Sequence, residues 1–275
     1  MHSPLGIGTR TMRFAMAAVA LIGLAAAPGS LPTASASGAY PTVKPTIVLE
    51  HGAWADGSSW SSVVTRLQKD GYTVDVPPNQ LRGVADDSAY LASYLATVPG
   101  PIVLVGHSYG GFVTTNAATG NANVKALVYV DAYIPAQGDT INSLTAQFPG
   151  SQLAPTALNF VPSAGGVVDA YVKPALFRSI LANDLSASQT AELAATQRPI
   201  AGSALNDVSG PPAWATVPTW AVIGTEDHAI PPAALEFMAQ RAHATVTKIE
   251  ASHMSLISQP GKVSSVIEQA ARTTS

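Results

Sequence analysis

Gly106-His107-Ser108-Tyr109-Gly110-Gly111 stands between an apolar run, Ile102–Val105, that reads as a buried strand and a segment that reads as a helix. A serine on a sharp strand-to-helix turn must take a strained backbone conformation, and side chains two residues away on either side would collide. Glycines at those places let strand and helix approach closely. The helix N-terminus also aims free N–H groups at negative charge developing beside the serine. The same pattern occurs in ordinary turns with an inert serine. The strand before it and the helix after it favour Ser108 as a nucleophile.

The rest of the chain alternates in a way that agrees with such a turn. Thr46–Glu50 is a short apolar run ending in His51-Gly52, a strand followed by a turn. Ser58–Lys69 carries Trp60, Val63, Val64 and Leu67 at helical spacing, and Gly71 stops it. Tyr72–Val76 predicts a strand, and Val84–Val98 a second helix with Asp86 and Asp87 in its first turn, where the helix dipole favours acid. Lys125–Val130, Pro218–Ile223 and Thr245–Ile249 predict further strands; Ala233–Arg241 and Lys262–Ala271 predict helices. Strand-helix alternation of this kind predicts an α/β fold, a mostly parallel central sheet with helices on both faces.

Residues 133–214 break the rhythm. They are rich in Ser, Ala, Gln and Pro, with no clear buried strand, and predict helices at Pro174–Ala182 and Ser186–Ala195, the latter opened by a Ser186/Gln189 capping box. An insertion between two strands of one sheet is expected to be a helical lid rather than a second domain.

A serine hydroxyl needs a base to take its proton, and histidine is the usual one. His253, in Glu250-Ala-Ser-His253-Met254, follows the last predicted strand, where a loop can return it to the serine. His51 and His107 flank the strand ends and are expected to shape the site, and His243 is expected at the surface. Asp227, after the strand Pro218–Ile223, fits the acid that orients the imidazole, in the order Ser, Asp, His. Asp131, at the end of the strand after the serine's helix, is the rival acid.

The N-terminus predicts export. Arg10 and Arg13 precede an apolar run, Phe14–Ala27, and Ala34-Ser35-Ala36 fits a cleavage site, so residues 1–36 are expected to be a signal peptide and 37–275 one secreted or envelope-held domain. The run is too short to span a bilayer, which takes about 20 apolar residues. A net charge of −3 with no basic tract argues against nucleic acid or an anionic membrane as partner. The chain has no cysteine, which excludes a Cys nucleophile and a Cys-ligated zinc site.

Together these residues resemble the α/β-hydrolase superfamily over nearly all of the chain from residue 37. More closely, His51-Gly-Ala-Trp-Ala-Asp-Gly-Ser-Ser-Trp60, the turn at 106–111 and Ser252-His253-Met254 resemble bacterial relatives of the plant methylesterase and hydroxynitrile lyase branch. The resemblance implies an oxyanion hole from the backbone N–H groups of Ala53 and Tyr109, and no metal or organic cofactor. Lyases of that branch carry a threonine after the first histidine and a lysine after the catalytic one. Here those places hold Gly52 and Met254, which leans the resemblance towards cleavage of a small-molecule carboxylic ester. Trp54, Met254, Phe148, Phe160 and Phe177 are candidate pocket residues. Lactone or amide hydrolysis, acyl transfer, C–C lysis and a non-catalytic binding role stand as alternatives.

Overall fold

The computed structural model describes residues 44–274, so the expected export segment lies outside the described residues. The chain runs β1 (Thr46–Glu50), α1 (Ser61–Lys69), β2 (Val74–Asp75), α2 (Val84–Leu95), β3 (Ile102–His107), α3 (Gly110–Ala117) and β4 (Val124–Val130). There follow α4 (Ile141–Ala146), β5 (Leu158–Pro162), β6 (Val168–Val172), α5 (Pro174–Leu181), α6 (Ala187–Thr196) and β7 (Ile200–Ala201). The last part is β8 (Thr219–Gly224), α7 (Pro232–Arg241), β9 (Thr245–Ile249), α8 (Ser255–Ser258) and α9 (Pro260–Arg272).

Six strands form the central sheet in the order β2-β1-β3-β4-β8-β9, and every pairing is parallel. Every residue of β3 and β8 is buried, as expected where helices cover both faces of a parallel sheet. The helices reach the sheet through apolar faces: α1 turns Val63 and Leu67 inward, and α9 buries Val263, Val266 and Ile267. Gly71, with φ +80°, ends the first helical segment as its sequence suggests. The strand expected over Tyr72–Val76 shrinks to Val74–Asp75, an edge pairing of two residues with β1. Among the described residues no helix is long and apolar enough to cross a membrane.

The insertion between β4 and β8 corrects one expectation. Helices α5 and α6 stand where predicted, and Ser186 and Gln189 form the reciprocal cap at the start of α6. The insertion is not wholly helical, however: β5, β6 and β7 form a separate antiparallel sheet. Four of the five β5 residues are exposed, so the buried apolar run that would announce a strand is absent there. Residues far away in sequence anchor this sheet to the body of the protein. Arg82 pairs with Asp169 at 2.7 Å, and the Ala201 N–H donates to the Leu81 carbonyl at 2.8 Å.

The turn between β3 and α3 is as crowded as its glycines imply. A Cβ on Gly106 would lie 2.7 Å from Thr114 Oγ1, and one on Gly111 would lie 2.0 Å from the Tyr133 carbonyl oxygen. The second contact is with backbone, which cannot swing aside. Gly111→Ala is therefore expected to destabilise the fold by about 1–3 kcal/mol, the usual cost of overpacking, read as a lower denaturation midpoint in urea.

Candidate active site

Ser108 sits at the apex of this turn with φ +53°, a conformation sparsely populated by residues other than glycine. It is held there by packing on both sides, since strand and helix leave no room for another path. Its hydroxyl donates to His253 Nε2 at 2.8 Å, and His253 Nδ1–H donates to Asp227 Oδ2 at 2.7 Å. All three are buried, between 2% and 4% exposed. The other oxygen of Asp227 accepts the N–H groups of Ala229 and Ile230 at 2.8 and 2.9 Å, so the carboxylate is fixed before the imidazole meets it.

Asp131, the rival acid, lies close by without bonding the imidazole. It accepts the Gly224 N–H at 2.6 Å and bonds Ser255 Oγ, joining the ends of β4 and β8 to the helix that follows His253. Burial first, and the Asp227 charge second, push its carboxyl up to about 8. The other histidines have supporting places. His107 Nε2–H donates to the His253 carbonyl at 2.9 Å, and burial and the His253 neighbour hold its ring well below the ordinary histidine range. His51 accepts the Asn79 N–H at 3.1 Å, while the Asn79 side chain returns a bond to the His51 carbonyl at 2.9 Å. His243 is exposed.

The backbone on either side of Ser108 offers two free donors. Among the described residues no hydrogen bond uses the N–H of Ala53 or of Tyr109. The loop carrying Ala53 presses on the serine, because a Cβ on Gly52 would meet Ser108 Cβ at 2.6 Å. Both residues line a cavity over Ser108 and His253 whose remaining walls include Ile141, Leu153, Ile200, Leu205 and Ile230. Its volume is about 20 Å³, room for roughly one water.

The candidate pocket residues divide. Trp54 lines the cavity, and with φ +58° it is itself in a strained conformation. Its N–H donates to the Arg198 carbonyl at 3.0 Å and its indole N–H to that of Ala170 at 2.8 Å, tying the loop to the insertion. Met254 is buried beside His253 and is not among the residues lining the cavity. Phe177 is buried on α5, Phe148 stacks on Phe237 at 5.4 Å, and Phe160 points into solvent, so these three also fail to line it. The aliphatic walls come instead from Ile141, Leu153 and Leu205 of the insertion and from Ile230 after Asp227. Sequence reasoning missed them because a single aliphatic residue carries no sign of facing a cavity rather than a core.

A family model described as "Alpha/beta hydrolase family" matches residues 47–266. A carbendazim hydrolyzing esterase of Nocardioides sp. (strain SG-4G) is 34% identical over 110 residues, which cover 35% of this chain and 46% of that protein. This chain thus matches just under half the length of that relative. Polyneuridine aldehyde esterase superposes with a TM-score of 0.72 at 19% identity, over 82% of this chain and 99% of its own. An extracellular alpha/beta-hydrolase from a Paenibacillus species does so with a TM-score of 0.69 at 21% identity, over 83% and 99%. At such identities the two structures speak for the fold alone.

The imidazole is the most testable group in the site. Burial works to lower the His253 pKa, but the charge and hydrogen bond of Asp227, helped by Asp131, outweigh it and raise the pKa above the ordinary histidine value of 6.5. An NMR titration of His253 is therefore expected to show protonation persisting above pH 6.5. Asp227→Asn removes the charge and leaves burial in place, so the midpoint is expected to fall.

Proposed function

The chain belongs to the alpha/beta hydrolase family, and on that footing we propose that it is an exported serine esterase that cleaves a neutral, apolar carboxylic ester through an acyl-enzyme. The observation that carries the reading is the line from Ser108 Oγ to His253 Nε2 to Asp227, with the serine held at a strained turn beside two unused N–H donors. The names of the relatives support an ester substrate: one is a carbendazim hydrolyzing esterase, another polyneuridine aldehyde esterase.

In this mechanism Ser108 Oγ attacks the ester carbonyl carbon while His253 Nε2 takes the hydroxyl proton. The carbonyl oxygen becomes an oxyanion, which accepts the N–H groups of Ala53 and Tyr109. Asp227 keeps the imidazole in the required tautomer and stabilises its cation. The tetrahedral centre collapses, the C–O bond to the alcohol breaks, and His253 returns the proton to the leaving oxygen. Water then attacks the acyl-enzyme by the same steps, releasing the acid and free Ser108.

The aliphatic walls explain the substrate class. A charged acyl group would be desolvated among Ile141, Leu153, Ile200, Leu205 and Ile230 without a partner, whereas an apolar one gains by burial. With room for about one water over the serine, the insertion serves as a lid that moves aside to admit the ester. Gly52 and Met254 favour ester cleavage over cyanohydrin lysis. A threonine at 52 would press its Cβ into Ser108, and methionine lacks the charge to steady a cyanide leaving group. Export rests on Arg10, Arg13, the apolar run Phe14–Ala27 and the small residues Ala34-Ser35-Ala36.

A fluorophosphonate probe read by intact mass tests the reaction. One adduct on the parent and none on Ser108→Ala is expected, together with turnover of short-chain aryl esters at neutral pH. His253→Ala is expected to lower kcat by roughly 10⁴–10⁶-fold, as loss of a unit member does elsewhere. A folded parent that takes no probe and cleaves no aryl ester would sink the proposal.

A further inference from the structure

Asp87 lies in the first turn of α2, where the helix dipole favours acid. It is buried, 2% exposed, and no cation pairs with it among the described residues. Its oxygens accept the Arg82 N–H at 3.1 Å each and the Gly83 N–H at 3.3 Å, which fixes the carboxylate to the start of α2. One further bond reaches across to the next helix. The Tyr109 hydroxyl donates to Asp87 Oδ2 at 2.7 Å.

Tyr109 is the residue after the nucleophile. Its backbone N–H is one of the two unused donors, its ring walls the cavity, and 1% of it is exposed. The side chain has two rotatable bonds between the strained turn and the phenol oxygen, so holding the oxygen limits where ring and amide can go. Burial and the carboxylate push the phenol far above its ordinary range, so it stays a donor at any working pH. The bond is one-sided in its importance. Asp87 keeps its backbone partners without Tyr109, while among the described residues the phenol has Asp87 as its partner and would otherwise be an orphaned buried hydroxyl.

We propose that Asp87 is a positioning residue for the reaction: through the Tyr109 hydroxyl it holds the ring and the backbone N–H that follow Ser108 in the place where the oxyanion forms. The proposal rests on the esterase reading. It differs from a packing role in what it predicts, because a shifted oxyanion donor weakens the transition state without weakening substrate binding. A displacement of about 1 Å can cost on the order of 10²-fold in rate, and loosening one anchor of one donor should cost less, about tenfold.

The test compares Tyr109→Phe, Asp87→Ala, Asp87→Asn and the double variant Tyr109→Phe/Asp87→Ala, using p-nitrophenyl acetate turnover and the rate of fluorophosphonate labelling. Tyr109→Phe is expected to lower kcat and the labelling rate about tenfold with KM within about twofold. Asp87→Asn keeps an acceptor and is expected to recover most of what Asp87→Ala loses. The double variant should be no slower than Tyr109→Phe alone, since both changes cut one link. Tyr109→Phe labelled as fast as the parent overturns the proposal, and so does an Asp87→Ala loss that persists undiminished in the Tyr109→Phe background. Should Asp87→Ala fail to fold, Tyr109→Phe decides alone. A folded parent that takes no probe and cleaves no p-nitrophenyl acetate overturns the esterase reading and this one with it, whereas a labelled parent with an unaffected Tyr109→Phe overturns this one only.

Discussion

The backbone of Ser108 is the point on which the rest of the site depends. A φ of +53° at a serine persists only when its neighbours forbid every alternative. Here β3 arrives fully buried between β1 and β4, and α3 departs so close to the segment after β4 that a single methyl on Gly111 would overlap the Tyr133 carbonyl. The parallel sheet thus does more than supply a core. Its third strand delivers a serine whose hydroxyl cannot retreat, and the strain is carried by contacts spread over several elements rather than by the turn itself.

The insertion is tied to this arrangement at points beside Ala53, Asp227 and His253. Trp54 bonds it next to Ala53, the Gln152 N–H donates to the His228 carbonyl one residue after Asp227, and Asp184 accepts the Ser252 N–H one residue before His253. Each bond is individually modest, about 0.5–1.5 kcal/mol net. Their placement means that a large displacement of the insertion would pull on the loops that carry Ala53, Asp227 and His253.

Much of this was legible in the sequence, and for identifiable reasons. Buried parallel strands are short apolar runs, so β1, β3, β4 and β8 announced themselves, and the glycines at 106, 110 and 111 marked a turn with no space for side chains. Chain order and loop position singled out Ser108, Asp227 and His253, which the fold brings within hydrogen-bond reach of one another. The antiparallel sheet of the insertion was not legible. Its β5 is largely exposed and β7 has two residues, so neither burial nor alternation leaves a trace. The walls of the cavity were hidden for the opposite reason, since aliphatic residues there look like any core. Aromatic residues drew attention because they are large, yet Phe160 is half exposed and Phe177 packs from α5 into the core.

The two carboxyls beneath one imidazole show how the surrounding fold chooses between them. Asp131 and Asp227 are both buried, and two negative charges there would repel each other while drawing excess positive charge onto His253. Asp227 has a short bond to the imidazole and two backbone N–H donors on its other oxygen, so its charge is well served. Asp131 has one backbone donor and a serine hydroxyl, and its carboxyl is the one pushed up to about 8. Of the two, Asp227 is the one that bonds the imidazole, while Asp131 ties the ends of β4 and β8 to the helix after His253.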